Sequence, residues 1–341
     1  MEEEKKLYPF KLVPVEDTPG EIWHLADLGW PDSMVRNGWL STNTLSEIME
    51  MYMDRVVGEG VFAAFGRQFP VLIKTLKGET RTPLLVHPDD EIAAQRFDFL
   101  GKAKLWYVTS ARPGAKLYLG FRRDVGASEF YEACQQGTVE GLLRIVEPKA
   151  GDHYFIAPGT VHAAGEGVEV VEIAESSPLD FRIYDWGRKP AGEVDPFDAE
   201  LTLEAAFDFI DFKASDSPAP VSEPTAEGAV RLTDNPEFIA TRIELRAPLQ
   251  IQCERFGSFV AYLCLQGEAS VQVPLTAPNG ERTTENYVFG ARETLLVPAE
   301  VETFYLVPRA EGTRLLEVVV ERHEVPSDFA EAPQEEDKLF N

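Results

Sequence analysis

Residues 151–165 read GDHYFIAPGTVHAAG, and this stretch decides the fold. A Gly-Asp turn opens onto a short β-forming run, a Pro-Gly turn follows, and a second run begins at His162. The same order recurs at 290–306, GARETLLVPAEVETFYL, again as glycine, strand, proline turn and strand. Two copies of one small β plan in 341 residues predict a duplicated barrel. Thr303 stands in the second copy where the first has His162, so chemistry is expected in the first.

Working outward, residues 69–188 carry β-rich runs separated by Pro and Gly: FPVLIKTL, TPLLVH, KLWYVTS, AKLYLGF, HYFIA, VEVVEIA and FRIYDWG. This is how an all-β barrel or sandwich is written. Two helical runs interrupt the pattern, SEFYEACQQGTVEGLLRIV over about 128–146 and LTLEAAFDFIDF near 201–212. Upstream, Thr44 and Glu47 have capping-box spacing, and Leu45, Ile48, Met49, Tyr52 and Val56 follow the helical period. Gly58 is placed to end that helix. Beyond a Ser/Pro/Ala-rich stretch the β pattern resumes with FIATRIEL, FVAYLCLQGEASVQV, YVFGARETLLVPAEVETFYLV and TRLLEVVVE. The expected division is a pocket-bearing unit at 1–213, a linker at 214–228, a second and degenerate barrel at 229–325, and an acidic tail at 326–341.

Composition narrows the partners. With 58 acidic against 32 basic residues the formal charge is −26, which excludes a nucleic-acid surface or an anionic membrane as an expected partner. No window reaches eighteen uncharged apolar residues and the N-terminus has no apolar core, so a cytoplasmic location is expected. Cys134, Cys253 and Cys264 are odd in number and form no C-x-x-C, which points to neither a disulfide framework nor a thiolate metal site. No P-loop, G-x-G-x-x-G or G-x-S-x-G is present.

The chain has five histidines: His24, His87, His153, His162 and His323. A metal centre gathers imidazole and carboxylate from different strands, and His87 and His162 are the two in β contexts of one predicted barrel. Side chains two apart on a strand share a face, which makes position 85 the companion of His87. That position is Leu85, which has no donor atom.

Residues 151–162 resemble the second signature of the cupin superfamily. Together with FGRQFPVLIK, VHPDDE, GKAKLWYV, PGAKLYLGF, PGTVHAAG and SSPLDFRIYDWGR, in order over 65–188, they resemble type I phosphomannose isomerase in its short bacterial form. A weaker second barrel extends the likeness to about 322. The resemblance implies a mainly β fold of two cupin-like (RmlC-like jelly-roll) β-barrels, with helices inserted and packed on the N-terminal barrel. It also implies zinc as cofactor and the interconversion of mannose 6-phosphate and fructose 6-phosphate through an enediol. The family's four zinc ligands match Leu85, His87, Lys104 and His162, so only His87 and His162 remain as metal ligands. Lys74, Lys102, Glu172 and Arg182 match positions lining the family's sugar-phosphate pocket. The implied catalytic residues are Lys102, Arg182 and Glu172, and the implied phosphate contacts are Lys74, Lys104 and Arg182. An aspartate that the family carries after the paired serines is here Pro178, and its N-terminal Trp-Gly-Gly is missing between Pro14 and Glu21.

Two unit charges 4 Å apart interact by about 4 kcal/mol at an effective dielectric of 20, so an ammonium would oppose a zinc dication by roughly twice that. Lys104 and zinc therefore compete for one place. The leading expectation is a homologue with a degenerate zinc site, weakened or inactive, that binds a hexose phosphate or related anion. An active metal-dependent isomerase rescued by Glu175 or His153 is the first alternative, and a non-catalytic scaffold or regulatory protein with a vestigial pocket is the second. If Lys104 turned outward into solvent, the competition would vanish.

Overall fold

The computed structural model describes residues 5–16, 19–188, 196–215, 225, 228–253, 256–276 and 280–321. The chain is mainly β and forms two pairs of facing antiparallel sheets. In the first pair, one sheet runs Phe181–Tyr184, Leu84–Val86, His162–Ala164, Leu117–Phe121, Leu143–Val146. The sheet facing it runs Glu21–Leu25, Val71–Leu76, Val168–Glu175, Lys104–Ala111, His153–Ile156. Leu76, Trp106, Val108, Leu117, Leu119 and Val170 close the core between them.

The run VEVVEIA reads as continuous rather than alternating because its strand is covered on both faces. Val168 and Val170 point into the first core, while Val171 and Ile173 point into a second. That second core joins the two sheet pairs back to back: Ile73, Leu105, Val171 and Ile173 meet Ala261, Leu263, Leu316 and Val318, with Leu45, Ile48 and Met49 of the helix Leu45–Tyr52 at the side.

The second sheet pair is built mostly from residues 229–319, but Phe10–Val13 and Met34–Val35 complete its larger sheet, with Phe10 opposite Leu296. Here the two copies of the strand, turn, strand plan can be compared directly. His153–Ile156 and His162–Ala164 correspond in order to Thr294–Val297 and Thr303–Pro308, and His162 and Thr303 each open the returning strand. Of the expected linker, residues 216–224, 226 and 227 lie outside the described residues, as do the tail 326–341 and His323.

Three helical expectations are corrected. The capping box at Thr44 is present, but the helix stops at Tyr52, where Met53 takes φ 46°, and resumes as Asp54–Val57 and Glu59–Phe65. At the join, Gly58 has φ +95° and a Cβ there would lie 2.2 Å from the Gly257 carbonyl oxygen, so this glycine is needed for both reasons. The run 128–146 is helical only over Ala127–Gln136 and, as a 3₁₀ turn, Val139–Leu142; Leu143–Val146 is a strand paired to Leu117–Phe121. Of 201–212 only Leu203–Ala206 is helical, capped by Thr202.

Candidate functional site

Cross-strand register sets out the site as two facing rows. On one sheet Arg182 lies opposite Leu85, Leu85 opposite His162, and His162 opposite Leu119, so all four share a face. On the other sheet Trp23 lies opposite Lys74, Lys74 opposite Glu172, Glu172 opposite Trp106, and Trp106 opposite Tyr154. Lys104 stands two residues from Trp106 and therefore faces the same side. Between the rows is a cavity of about 90 Å³ touched by Lys74, Leu85, Lys104, Glu172, Asp180 and Arg182.

Lys104 does not turn to solvent. Its side chain is 1% exposed, with Nζ 3.3 Å from Glu172 Oε2 and 3.9 Å from Asp180 Oδ1. Glu172 Oε2 also accepts from Trp106 Nε1–H at 2.7 Å, and Glu172 Oε1 lies 3.8 Å from Lys74 Nζ. Lys74 donates to Glu21 at 3.0 Å and Lys102 to Asp180 at 2.7 Å. Three lysines and three carboxylates thus alternate in a continuous ionic lattice, Glu21–Lys74–Glu172–Lys104–Asp180–Lys102. Arg182 is different: it is exposed at the cavity's edge, and its guanidinium has no partner among the described residues.

The lattice fixes the charge states. Burial alone would raise the Glu172 carboxyl, but Lys104, Lys74 and Lys102 outweigh it and hold the group at about 2. Asp180 is likewise driven well below the usual carboxylate range, against its burial, chiefly by Lys102 and Lys104. Burial pulls the Lys74 ammonium down, yet Glu21 and Glu172 leave it above its ordinary value. Lys102 goes the other way, lowered by burial and by its neighbours Lys104 and Lys74.

His87 and His162 meet at the inner end. His87 Nδ1 lies 2.7 Å from the Leu179 carbonyl and His162 Nδ1 2.8 Å from the Thr160 carbonyl, so each Nδ1 carries the proton. Both Nε2 atoms are left as bare acceptors, 3.3 Å apart. Burial and the Lys104 charge keep both rings neutral, His162 being lowered to about 3.

This donor set does not fit the zinc that the resemblance implies. The two imidazoles are positioned as ligands, but a hydrocarbon and an ammonium stand in the other two places. Among the described residues no group of three or more His, Cys, Asp or Glu side chains is arranged to hold an ion. Neither expected rescuer supplies a donor. Glu175 Oε2 accepts from the Ala103 amide at 2.7 Å, and His153 pairs with Tyr107, whose side chain belongs to the core between the sheet pairs. Burial first, then the neighbouring Asp90 carboxylate, pushes Glu175 up to about 8.

Sequence reasoning missed Asp180, Glu21 and Trp23. Asp180 was detectable, since it lies two residues before Arg182. Glu21 lines the cavity and Trp23 sits under Lys74, with Nζ 4.4 Å from the ring centroid. Both belong to a strand whose short run EIWHL gave little signal.

The fold and site define a double β-sheet protein of the cupin class with an ion-lined interior pocket. Its structure superimposes on the crystal structure of mannose 6-phosphate isomerase from Bacillus subtilis with a TM-score of 0.75 at 21% identity, covering 92% of this chain and 99% of the other. In sequence it is 33% identical to the mannose-6-phosphate isomerase of Bacillus subtilis over 180 residues, 52% of this chain and 55% of that protein. The mannose-6-phosphate isomerase of Streptococcus mutans is 26% identical over 290 residues, 84% of this chain and 85% of its own length. The chain spans about half the length of the Bacillus relatives it matches. No protein-family model matches it. In sequence the chain is similar to these mannose-6-phosphate isomerases, and it shares the fold of the solved one.

Proposed function

We propose that the chain is a cytoplasmic homologue of the mannose-6-phosphate isomerases whose zinc site is degenerate, and that it binds a sugar phosphate or related anion with weakened or absent isomerase activity. The observation that carries this reading is the buried Lys104 ammonium, held between Glu172 and Asp180 beside the two histidines. An enediol route needs a polarised carbonyl, and an ammonium already paired to carboxylates is a far weaker electrophile than a metal dication. Arg182 is assigned to the anion because its guanidinium is unengaged. Lys74 supports it from the opposite sheet. Glu172 lines the cavity and Lys102 reaches it through Asp180, and these two are assigned what proton transfer remains.

The test is metal content by mass spectrometry on protein purified without chelator and again after zinc loading, beside turnover of mannose 6-phosphate and its binding by calorimetry. The reading expects a metal-free chain, binding, and turnover far below that of a zinc-replete relative. One zinc per chain, with turnover abolished in both His87→Ala and His162→Ala, would overturn it.

One observation favours an active metal enzyme instead. Two nitrogens each 2.0–2.1 Å from a tetrahedral ion lie roughly 3.3–3.4 Å apart, which matches the 3.3 Å between the two Nε2 atoms. The same experiment separates the two readings.

A further inference from the structure

We infer that a second cavity, on the opposite sheet pair, binds a small organic cation of the methylated-ammonium class. It is lined by the aromatic rings of Tyr8, Trp39 and Tyr287 and by the carboxylate of Glu285.

Three segments distant in sequence build it. Tyr8 leads into the strand Phe10–Val13, Trp39 follows the strand Met34–Val35, and Glu285 and Tyr287 lie two apart on Arg282–Gly290, so these two share a face. The turn that carries Trp39 is tied to the first strand, since Asn37 Oδ1 accepts from the Lys11 amide at 2.6 Å. Trp39 is 41% exposed, yet Tyr52 holds it edge-on, with ring centroids 5.7 Å apart. The cavity measures about 390 Å³, within the range of roughly 300–1,000 Å³ typical of small-molecule sites.

Charge selects the ligand. Among the described residues Glu285 is the one charged side chain that touches the cavity; no lysine or arginine does, which disfavours an anion. A single carboxylate is too few hard ligands for a divalent metal. Aromatic faces beside a carboxylate suit a diffuse cation, because the ring quadrupole and the carboxylate attract the same charge. Tyr287 donates its hydroxyl proton to Glu285, which polarises the phenol and makes its ring more electron-rich. Trp39 already draws a cation: Lys5 Nζ lies 5.1 Å from its ring centroid, although Lys5 does not touch the cavity. The net charge of −26 raises the local concentration of any cation.

The test is calorimetry on the full chain at fixed ionic strength, with choline, its uncharged carbon isostere 3,3-dimethylbutan-1-ol, and methyl glucoside as probes. Parent, Trp39→Leu and Glu285→Gln chains are compared once thermal melts show each to be folded; Glu285 is exposed, so its variant keeps the test open if Trp39→Leu does not fold. Choline should bind the parent about tenfold or more tightly than the isostere, and each variant should weaken choline by about fivefold or more. Glu285→Gln should leave the isostere unaffected. Equal binding of choline and isostere would make this a merely apolar hollow, and tighter binding of methyl glucoside a saccharide groove; either overturns the inference. So does the absence of choline binding, or choline binding unchanged in Glu285→Gln. None of these outcomes bears on the anion-binding reading of the first cavity.

Discussion

At the scale of single residues, Glu172 and Glu175 show how opposite environments act on one side-chain type three residues apart. Glu172 is depressed to about 2 by three lysines. Its contribution to stability is therefore present above the ordinary carboxylate value near 4.5 and is lost as pH falls toward 2. Glu172→Gln leaves buried ammoniums short of a counter-charge and should cost about 3 kcal/mol at pH 7. Urea unfolding of parent and variant at pH 7 and pH 3 checks this, and an equal gap at both pH values would contradict it. Glu175 is raised to about 8, so its neutral form suits the fold and its stability contribution declines as pH rises from 4.5 through 8. Glu175→Gln keeps an acceptor for the Ala103 amide without the charge. It should match the parent in thermal melts at pH 4.5 and exceed it at pH 9 by roughly 2–4 kcal/mol. Leu85 and Lys104 were visible in the sequence as misfits at ligand positions. What the sequence left open was Lys104's direction, which depends on the acidic partners Glu172 and Asp180 across the fold.

At the scale of elements, runs with a strong period were legible and short or locally broken ones were not. VEVVEIA and KLWYVTS became the long strands Val168–Glu175 and Lys104–Ala111. By contrast, Phe10–Val13 and Glu21–Leu25 were passed over because four or five residues carry little periodicity, and their pairing is set by distant partners such as Leu296 and Lys74. The helix Asp90–Phe97 was also missed, although Asp89 caps it by accepting from the Ile92 amide. The strand Leu143–Val146 was absorbed into a helix because apolar residues follow Gly137, whose left-handed φ of 71° ends the helical segment. Where a local signal was complete, it held. Thr44 accepts from the Glu47 amide while Glu47 accepts from the Thr44 amide, closing both ends of the box. Thr44→Ala should cost about 1 kcal/mol. Denaturant midpoints would measure it, and a change within error would mean that packing of Leu45, Ile48 and Met49 alone holds the helix.

At the scale of the whole molecule, the question is whether the two sheet pairs are independent. The duplicated sequence plan reads as two units, and each sheet pair does close its own core. Yet the core between them is continuous and apolar, and Phe10–Val13, early in the chain, is a strand of the pair built chiefly from residues 229–319. Phe69 and Phe259 meet there with ring centroids 4.5 Å apart, both fully buried. Neither residue lines the cavity, but Phe69 immediately precedes Pro70 and the strand that carries Lys74. A shared core of this kind couples unfolding of one pair to the other, because separating them would expose both faces at once. Calorimetry should therefore show a single transition whose calorimetric and van't Hoff enthalpies agree. Phe259→Ala should lower stability by about 3–5 kcal/mol and move that one transition down as a whole. Two resolved transitions in the parent, or a shift in Phe259→Ala confined to part of the heat absorption, would show that the sheet pairs are energetically separate and that the pocket stands without its neighbour.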